Sequence, residues 1–296
     1  ADARYEIEKA LADPSGVLVQ PVTTVEPRKK LRTILPWAAI TLILIIIAGV
    51  AVWKLNPSEP RQLITFEHQL AEGQQFSDLV FFTLAVSPDG KQIVYSTPKG
   101  LYLRSVDELR ARLIGGTEES IVNPFFSPDG KSIGYFSVTD RKLKKVAANG
   151  GTPVPLCDVA QRVWGAWWNE DNTIVYNQQS VGIMQISANG GNPECIVKQK
   201  SGSLISPQIL PDGKSILYTS LPVSLAKIMV QSLKSGEAKE IFRGYGAQYL
   251  PTGHVVYLGG RNVVAVPFDL DRLEVTGRHV PVVYDVRRYA ISDSGT

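Results

Sequence analysis

Apolar and polar residues are distributed very unevenly along this chain of 296 residues. From 34 to 53 it reads ILPWAAITLILIIIAGVAVW, without a charge and with Thr41 as its one polar side chain. At about 1.5 Å of rise per residue, such a run predicts a helix long enough to cross a hydrocarbon core of about 30 Å. A buried helix of a globular domain would keep a polar stripe, and none is visible here. After 61 the pattern changes to short alternating segments that recur: AVSPDGKQIVYS from Ala85, FFSPDGKSIGYFS from Phe125 and QILPDGKSILYTS from Gln208, with weaker copies WWNEDNTIVYN from Trp167 and QYLPTGHVVYLG from Gln248. The tyrosines that close these units, Tyr95, Tyr135, Tyr176, Tyr218 and Tyr257, stand 40, 41, 42 and 39 residues apart. A repeat of that length suits one four-stranded blade of a β-propeller.

Each unit reads as strand, turn, strand, and a second strand-turn-strand follows it, as in LKKVAANGGTPVPL and IMQISANGGNPECI. In the first turn Pro88, Pro128 and Pro211 preset φ, Asp89, Asp129 and Asp212 accept local N–H bonds, and Gly90, Gly130 and Gly213 take the left-handed position. In the second, Asn149-Gly150 and Asn189-Gly190 are strong hairpin signals, because both residues tolerate positive φ. The strands after the first turns are apolar on both faces: Ile93 and Tyr95 share one face, for example, and Val94 lies on the other. A strand greasy on both sides must be covered on both, which stacked blades provide and a two-layer sandwich does not. The expected fold is therefore all-β, a propeller of five blades plus the start of a sixth, incomplete, preceded by one transmembrane helix. The sixth begins at YAISDSGT, where 292–296 stand in the place of 87–91, and the chain is read as a fragment open at both ends.

Charge matters only where it clusters, because the net value is just +3. Arg28, Lys29, Lys30 and Arg32 lie directly before the apolar run, whereas only Lys54 and Arg61 follow it closely. That asymmetry places the N-terminus in the cytoplasm and the repeats outside, and Trp37 and Trp53 sit where indoles favour the headgroup level. Touching a membrane span, the basic cluster is explained by topology and anionic lipid, so nucleic acid is not an expected partner. The segment stays as an anchor, since 33 residues precede it and no small-residue cleavage pattern follows. The domain plan is then 1–12, the closing helix of a cytoplasmic domain; 13–33, a linker; 34–53, the span; 54–61, a second linker; and 62–296, the propeller.

Chemistry-bearing motifs are scarce. No P-loop, nucleophile elbow, paired-cysteine zinc pattern or His-Glu-x-x-His pair occurs, so no catalytic, cofactor-binding or metal residue is assigned. Gly244-Tyr245-Gly246 lacks the third glycine of a nucleotide loop, and His68, His254 and His279 are isolated. Asp89, Asp129 and Asp212 recur at blade spacing, but each is explained by its own turn rather than by a ring of metal ligands. Trp164, Trp167 and Trp168 form the one aromatic group that invites a ligand, although two of them enter a strand where they can pack between blades. Cys157 and Cys195 fall in adjacent repeats, and outer strands of neighbouring blades hold their backbones too far apart for an easy disulfide.

The repeats with their Ser-Pro-Asp-Gly-Lys turns resemble the TolB-like, or WD-type, propellers of bacterial envelope proteins over about residues 61–296. The whole order, ending the first segment in DARYEIEKALA and continuing through a Pro-rich linker and a basic-flanked span, resembles the C-terminal part of bacterial membrane-anchored serine/threonine protein kinases. That resemblance implies an inner-membrane, single-pass protein whose propeller lies in the periplasm or outside the cell, binding a protein, peptide or small envelope ligand there. It implies a membrane partner and association as a homodimer, with ATP and Mg belonging only to the kinase domain, none of whose motifs is in this chain. Two other arrangements share the propeller: a membrane-bound winged-helix transcription regulator, and a dipeptidyl-peptidase-type serine hydrolase with its catalytic domain further on.

Overall fold

A computed structural model describes residues 82–222 and 225–295, together with positions 42, 45, 70 and 75–77. The chain divides into two compact units, 1–68 and 69–296. In the first, only Leu42 and Ile45 are described, both helical and exposed. The rest of the expected span at 34–53, with Arg28, Lys29, Lys30, Arg32, Trp37 and Trp53, lies outside the described residues. Among the described residues no helix is long and apolar enough to cross a membrane.

The second unit is built from five antiparallel sheets in chain order. Blade I contains β1 (Leu84–Val86), β2 (Gln92–Thr97), β3 (Gly100–Ser105) and β4 (Arg112–Leu113); blade II contains β5 (Ile121–Phe126), β6 (Ser132–Ser137), β7 (Lys142–Ala147) and β8 (Val154–Asp158). Blade III follows with β9 (Ala166–Trp168), β10 (Thr173–Gln178), β11 (Gly182–Ser187) and β12 (Glu194–Lys198), and blade IV with β13 (Leu204–Ile209), β14 (Ser215–Ser220), β15 (Lys227–Ser232) and β16 (Ala238–Arg243). Blade V has β17 (Tyr245–Leu250), β18 (His254–Gly259), β19 (Asn262–Asp269) and β20 (Glu274–Val275). A further strand, β21 (Val280–Val283), pairs with β19 beside β20. The expected all-β propeller of four-stranded blades is thus present, with five blades formed.

Both faces of the second strands are buried, as their composition requires. Tyr135 packs with Val94 and Leu101 between blades I and II, Tyr176 with Val122 and Leu143 between II and III, Tyr218 with Val175 and Ile183 between III and IV, and Tyr257 with Leu217 and Ile228 between IV and V. Each tyrosine therefore faces the preceding blade, and the residue before it faces the next. At Gly134 that inner place belongs to the Phe125 ring, which would lie 2.2 Å from an added Cβ. The tyrosine hydroxyls stay paired at the edges, with Glu119, Cys157, Gln231 and His279 respectively. Cys157 and Cys195 are both free thiols.

The turns agree with expectation at the proline sites, and a hairpin forms at each Asn-Gly pair. Gly90, Gly130 and Gly213 have φ of 74°, 69° and 62°. In the Asn-Gly hairpins, however, positive φ falls on Gly150 and Gly151 and on Gly190 and Gly191, not on Asn149 or Asn189. The Gly150 N–H bonds Ala147 O at 2.8 Å, closing a turn over Ala148 and Asn149, so the left-handed residues follow that turn instead of forming it.

Blades are joined at their innermost strands. Asn123, Gly165, Ser206 and Gly246 occupy the same place in blades II to V, and all have positive φ, 52°, 111°, 50° and 64°. In blades II, IV and V the ladder slips at this point, the mark of a β-bulge. The residue so rotated bonds across to a neighbour: Asn123 N to Phe82 O at 2.8 Å, Ser206 N to Trp164 O at 3.0 Å and Gly246 N to Thr219 Oγ1 at 3.1 Å. Asn123 Nδ2 joins blade II to Val163 O on the blade III side at 2.5 Å. Between IV and V the Gln208 amide imitates a peptide group, donating to Tyr249 O at 3.0 Å and accepting from Tyr249 N at 2.7 Å.

The segment expected to open a sixth blade keeps the corresponding place beside blade V. Gln248, the counterpart of Gln208, donates to Ile291 O at 3.4 Å, and Val286, Tyr289 and Ile291 cover the apolar face of Leu250, Val256 and Leu258. Its turn repeats the earlier ones, with Gly295 N bonded to Ser292 O at 2.9 Å and Ser294 taking the role of Asp89. Residues 289–295 carry no strand ladder of their own.

Replacing Gln208 by leucine is expected to leave the buried Tyr249 N–H and C=O unpaired and to lower the unfolding free energy by about 1–3 kcal/mol. Gln248→Leu, which removes a single longer bond, is expected to cost less. Urea unfolding of the two variants checks the order.

Candidate functional site

The five innermost strands, β1, β5, β9, β13 and β17, and the segment 289–293 surround a cavity of about 470 Å³. That size is within the usual range for small-ligand sites. It is positioned by the repeat itself: the turn of each blade places one residue at one end, and the positive-φ position four residues before the turn in blades II to V places one at the other.

At the turn end the residue after the first turn position lines the cavity in every case. Pro88, Pro128, Pro211 and Pro251 hold this place in blades I, II, IV and V, and Glu170 and Asp293 hold it in blade III and in the segment beyond blade V. Prolines there need no partner, and the two carboxylates have no ion pair among the described residues. Burial, and secondarily the charge of Glu170, hold the Asp293 carboxyl above its ordinary pKa. Asp171 also borders the cavity, but its Oδ1 accepts from Thr173 N and Thr173 Oγ1.

At the bulge end lie Phe82, Asn123, Gly165, Ser206, Gly246 and Tyr289. Asn123 is 2% exposed, and its Oδ1 has no hydrogen-bond partner; Ser206 Oγ is likewise buried and unpartnered. Gly165 is required here, because a Cβ would lie 3.0 Å from the Ser206 backbone. Tyr289 fixes the added segment by donating its hydroxyl to Val256 O at 3.0 Å, and burial pushes its phenol pKa well up.

Of the three tryptophans, two border the cavity. Trp167 is half-buried and also packs between blades III and IV. Trp168 is mostly core, packed edge-on to Phe125, with its indole N–H donated to Asn172 Oδ1 at 3.2 Å. Trp164 does not line the cavity; it packs against the core between blades II and III, and its backbone N–H bonds Asn177 Oδ1 at 3.0 Å. The turn aspartates stay apart in function. Asp89 and Asp129 each accept from the serine two residues before, at 2.6 Å, and from the following lysine N–H, while Asp212 accepts from Lys214 N and Ser215 N. Among the described residues no group of three or more His, Cys, Asp or Glu side chains is placed to hold a metal.

Sequence reasoning passed over Glu170, Asp293, Asn123 and Ser206. The first two were readable by aligning the turns, where Asn-Glu-Asp and Ser-Asp-Ser replace Ser-Pro-Asp. Asn123 and Ser206 carry no such mark, since a bulge residue shows only once the strand register is known.

Among solved structures the chain is similar to a putative TolB from Agrobacterium tumefaciens, at 18% identity and a TM-score of 0.57 over 73% of this chain and 87% of that one. It is similar to TolB from Acinetobacter baumannii, at 18% identity and a TM-score of 0.55 over 69% of this chain and 55% of that one. The fold is that of a TolB-like β-propeller. Hydrazine synthase of Kuenenia stuttgartiensis shares it at 14% identity, with a TM-score of 0.56 over 77% of this chain and 75% of that one, so the TolB-like propeller alone does not fix an activity. No protein-family model and no curated protein matches the sequence.

The turn aspartates give a pH-dependent test. The Ser87 and Ser127 hydroxyls, and next the Lys91 and Lys131 N–H groups, hold Asp89 and Asp129 below the ordinary carboxylate pKa. A folded pKa lowered in this way adds stability that is present above the unfolded value and disappears as pH falls through the folded one. Because both groups are largely exposed, the contribution is well under about 1 kcal/mol. In Ser87→Ala the Asp89 titration is expected to move up while Asp129 stays in place, as followed by carboxyl NMR. A joint shift would mean that the aspartates act as a ring.

Proposed function

We propose that this TolB-like propeller is the extracytoplasmic interaction module of a single-pass membrane serine/threonine protein kinase, and that it binds a protein, peptide or small envelope ligand at its axis. The observation that carries the binding part is the axial cavity, with the unpartnered Asn123 Oδ1 and Ser206 Oγ at one end and unpaired carboxylates at the other. Buried polar groups are almost always satisfied, and a donor bound at the axis would satisfy these two. Propellers present their axis as a binding surface without moving parts, so ligand affinity costs little ordering.

The membrane and kinase parts of the proposal are supported by the order of features along the chain: DARYEIEKALA, the linker, the basic-flanked apolar run and then the propeller. A single helix passes on proximity more readily than a change of shape, so ligand-dependent association of two chains is the coupling step. On this reading ATP and Mg serve the kinase domain.

Protease added to intact spheroplasts carrying the full-length protein is expected to digest the propeller. Digestion confined to inside-out vesicles would reverse the orientation and remove the sensor reading. Crosslinking in the same membranes is expected to rise when ligand is present, and an unchanged yield would eliminate association as the coupling step.

A further inference from the structure

Every charged residue that lines the axial cavity is acidic: Glu170, Asp171 and Asp293. No lysine, arginine or histidine borders it. The acids are gathered at the turn end, where Glu170 and Asp293 interrupt a ring otherwise made of Pro88, Pro128, Pro211 and Pro251. Burial, and secondarily the charge of Glu170, disfavour the ionised Asp293 carboxyl at this mouth, and a cation between the two side chains would offset both. Farther in, the wall is aromatic and aliphatic, with Phe125, Trp167, Ile209 and Tyr249 among its residues. At the opposite end Asn123, itself 2% exposed, borders the same cavity, and its buried Oδ1 has no hydrogen-bond partner among the described residues.

The backbone at that end adds an independent observation. Asn123 and Ser206 hold positive φ of 52° and 50°, where the equivalent residues of blades III and V are Gly165 and Gly246. A side chain in the left-handed region costs about 1 kcal/mol or more relative to glycine. Two polar side chains are therefore kept, at a backbone cost, where two glycines serve equally well for the chain path. Both residues border the cavity, and each has a buried side-chain oxygen without a hydrogen-bond partner among the described residues.

We propose that the axial cavity of the propeller binds a slender aliphatic chain carrying ammonium or guanidinium groups, its cation held between Glu170 and Asp293, its stem along the apolar wall and a further N–H donated toward Asn123 Oδ1. The inference rests on the reading of the propeller as a binding module and names the chemistry of the ligand. An inner strand from bulge to turn spans five residue steps, or about 17 Å at about 3.3 Å each, so the ligand is long and narrow. Carboxylates supply charge-assisted hydrogen bonds to such a cation, and aromatic faces near the mouth add attraction for it. Two sources share this chemistry: a free oligoamine, and a lysine or arginine side chain on an extended peptide.

The test uses the full 296-residue chain, kept in non-ionic detergent, with spermine, the blocked peptide Gly-Gly-Arg-Gly-Gly and its uncharged citrulline counterpart as probes. Binding is read by calorimetry and by tryptophan fluorescence, since Trp167 and Trp168 border the cavity. Saturable binding of spermine or of the arginine peptide, but not of the citrulline peptide, is expected, and which of the two binds identifies the source. In Glu170→Gln/Asp293→Asn the affinity is expected to fall at least about tenfold, and raised salt should weaken the unsubstituted chain in the same sense. Asn123→Gly, which suits the backbone at that site but removes the Nδ2 bond to Val163 O, is expected to weaken binding about three- to tenfold in protein shown by circular dichroism to be folded at the assay temperature. Equal binding of the citrulline peptide, retained affinity in the double variant, or no saturable binding by a chain shown to be folded by circular dichroism would each overturn the inference. None of these results touches the association assay in membranes, so the kinase-sensor reading stands or falls separately.

Discussion

The structure depends on one constraint: a sheet that is apolar on both faces has to be covered on both. Blades II to V meet it by passing the second-strand tyrosine to the blade before, and blades I, III and IV by passing the smaller Val94, Val175 and Leu217 to the blade after. Tyr135, Tyr176 and Tyr218 reach across in this way to Leu101, Leu143 and Ile183. The arrangement makes the molecule a sequence of nearest-neighbour joints, so its stability is distributed along the chain rather than concentrated in one central core. The face of blade V that has no following sheet is covered instead by Val286, Tyr289 and Ile291, which shows how strongly the constraint acts even without a ladder.

The cavity follows from the same geometry. Sheets wider at the rim than at the axis cannot close on a point, and the innermost strands present their ends to the space that remains. Its lining varies only where residues at two repeated positions depart from the repeat, as Glu170 and Asp293 do among prolines, and as Asn123 and Ser206 do against glycines. The positions of the repeat secure the fold, and the departures give the axis its chemistry.

Much of the fold could be read from the residues. The Ser-Pro-Asp-Gly turn and the evenly spaced tyrosines were enough to place five blades, because both arise from local rules of turn and strand. The Asn-Gly hairpins were also legible, although dipeptide preference does not say which residues turn left-handed, and Gly150 and Gly151 do so after a turn closed by Gly150 N and Ala147 O. β21 was not anticipated: VPVV offers a proline and a pattern exposed throughout, and only the open edge of β19 gives it a partner. Of the candidate site, Trp167 and Trp168 were found by residue type, whereas Trp164 turned inward to the core. The bulge residues were illegible because their meaning lies in hydrogen bonds between repeats and not within one.

The cross-blade bonds at those bulges carry a consequence for register. Asn123 N reaches Phe82 O, and Ser206 N reaches Trp164 O, only because each innermost strand is rotated at a fixed distance from its turn. A strand slipped by one residue would retain some ladder bonds within its own blade but would direct that donor away from the neighbouring carbonyl. The alignment of one sheet is thereby checked by the next, and an error in a single hairpin cannot be accommodated locally. Near-identical repeats are exposed to mispairing among themselves, and this tether at the hub is what penalises the wrong partner.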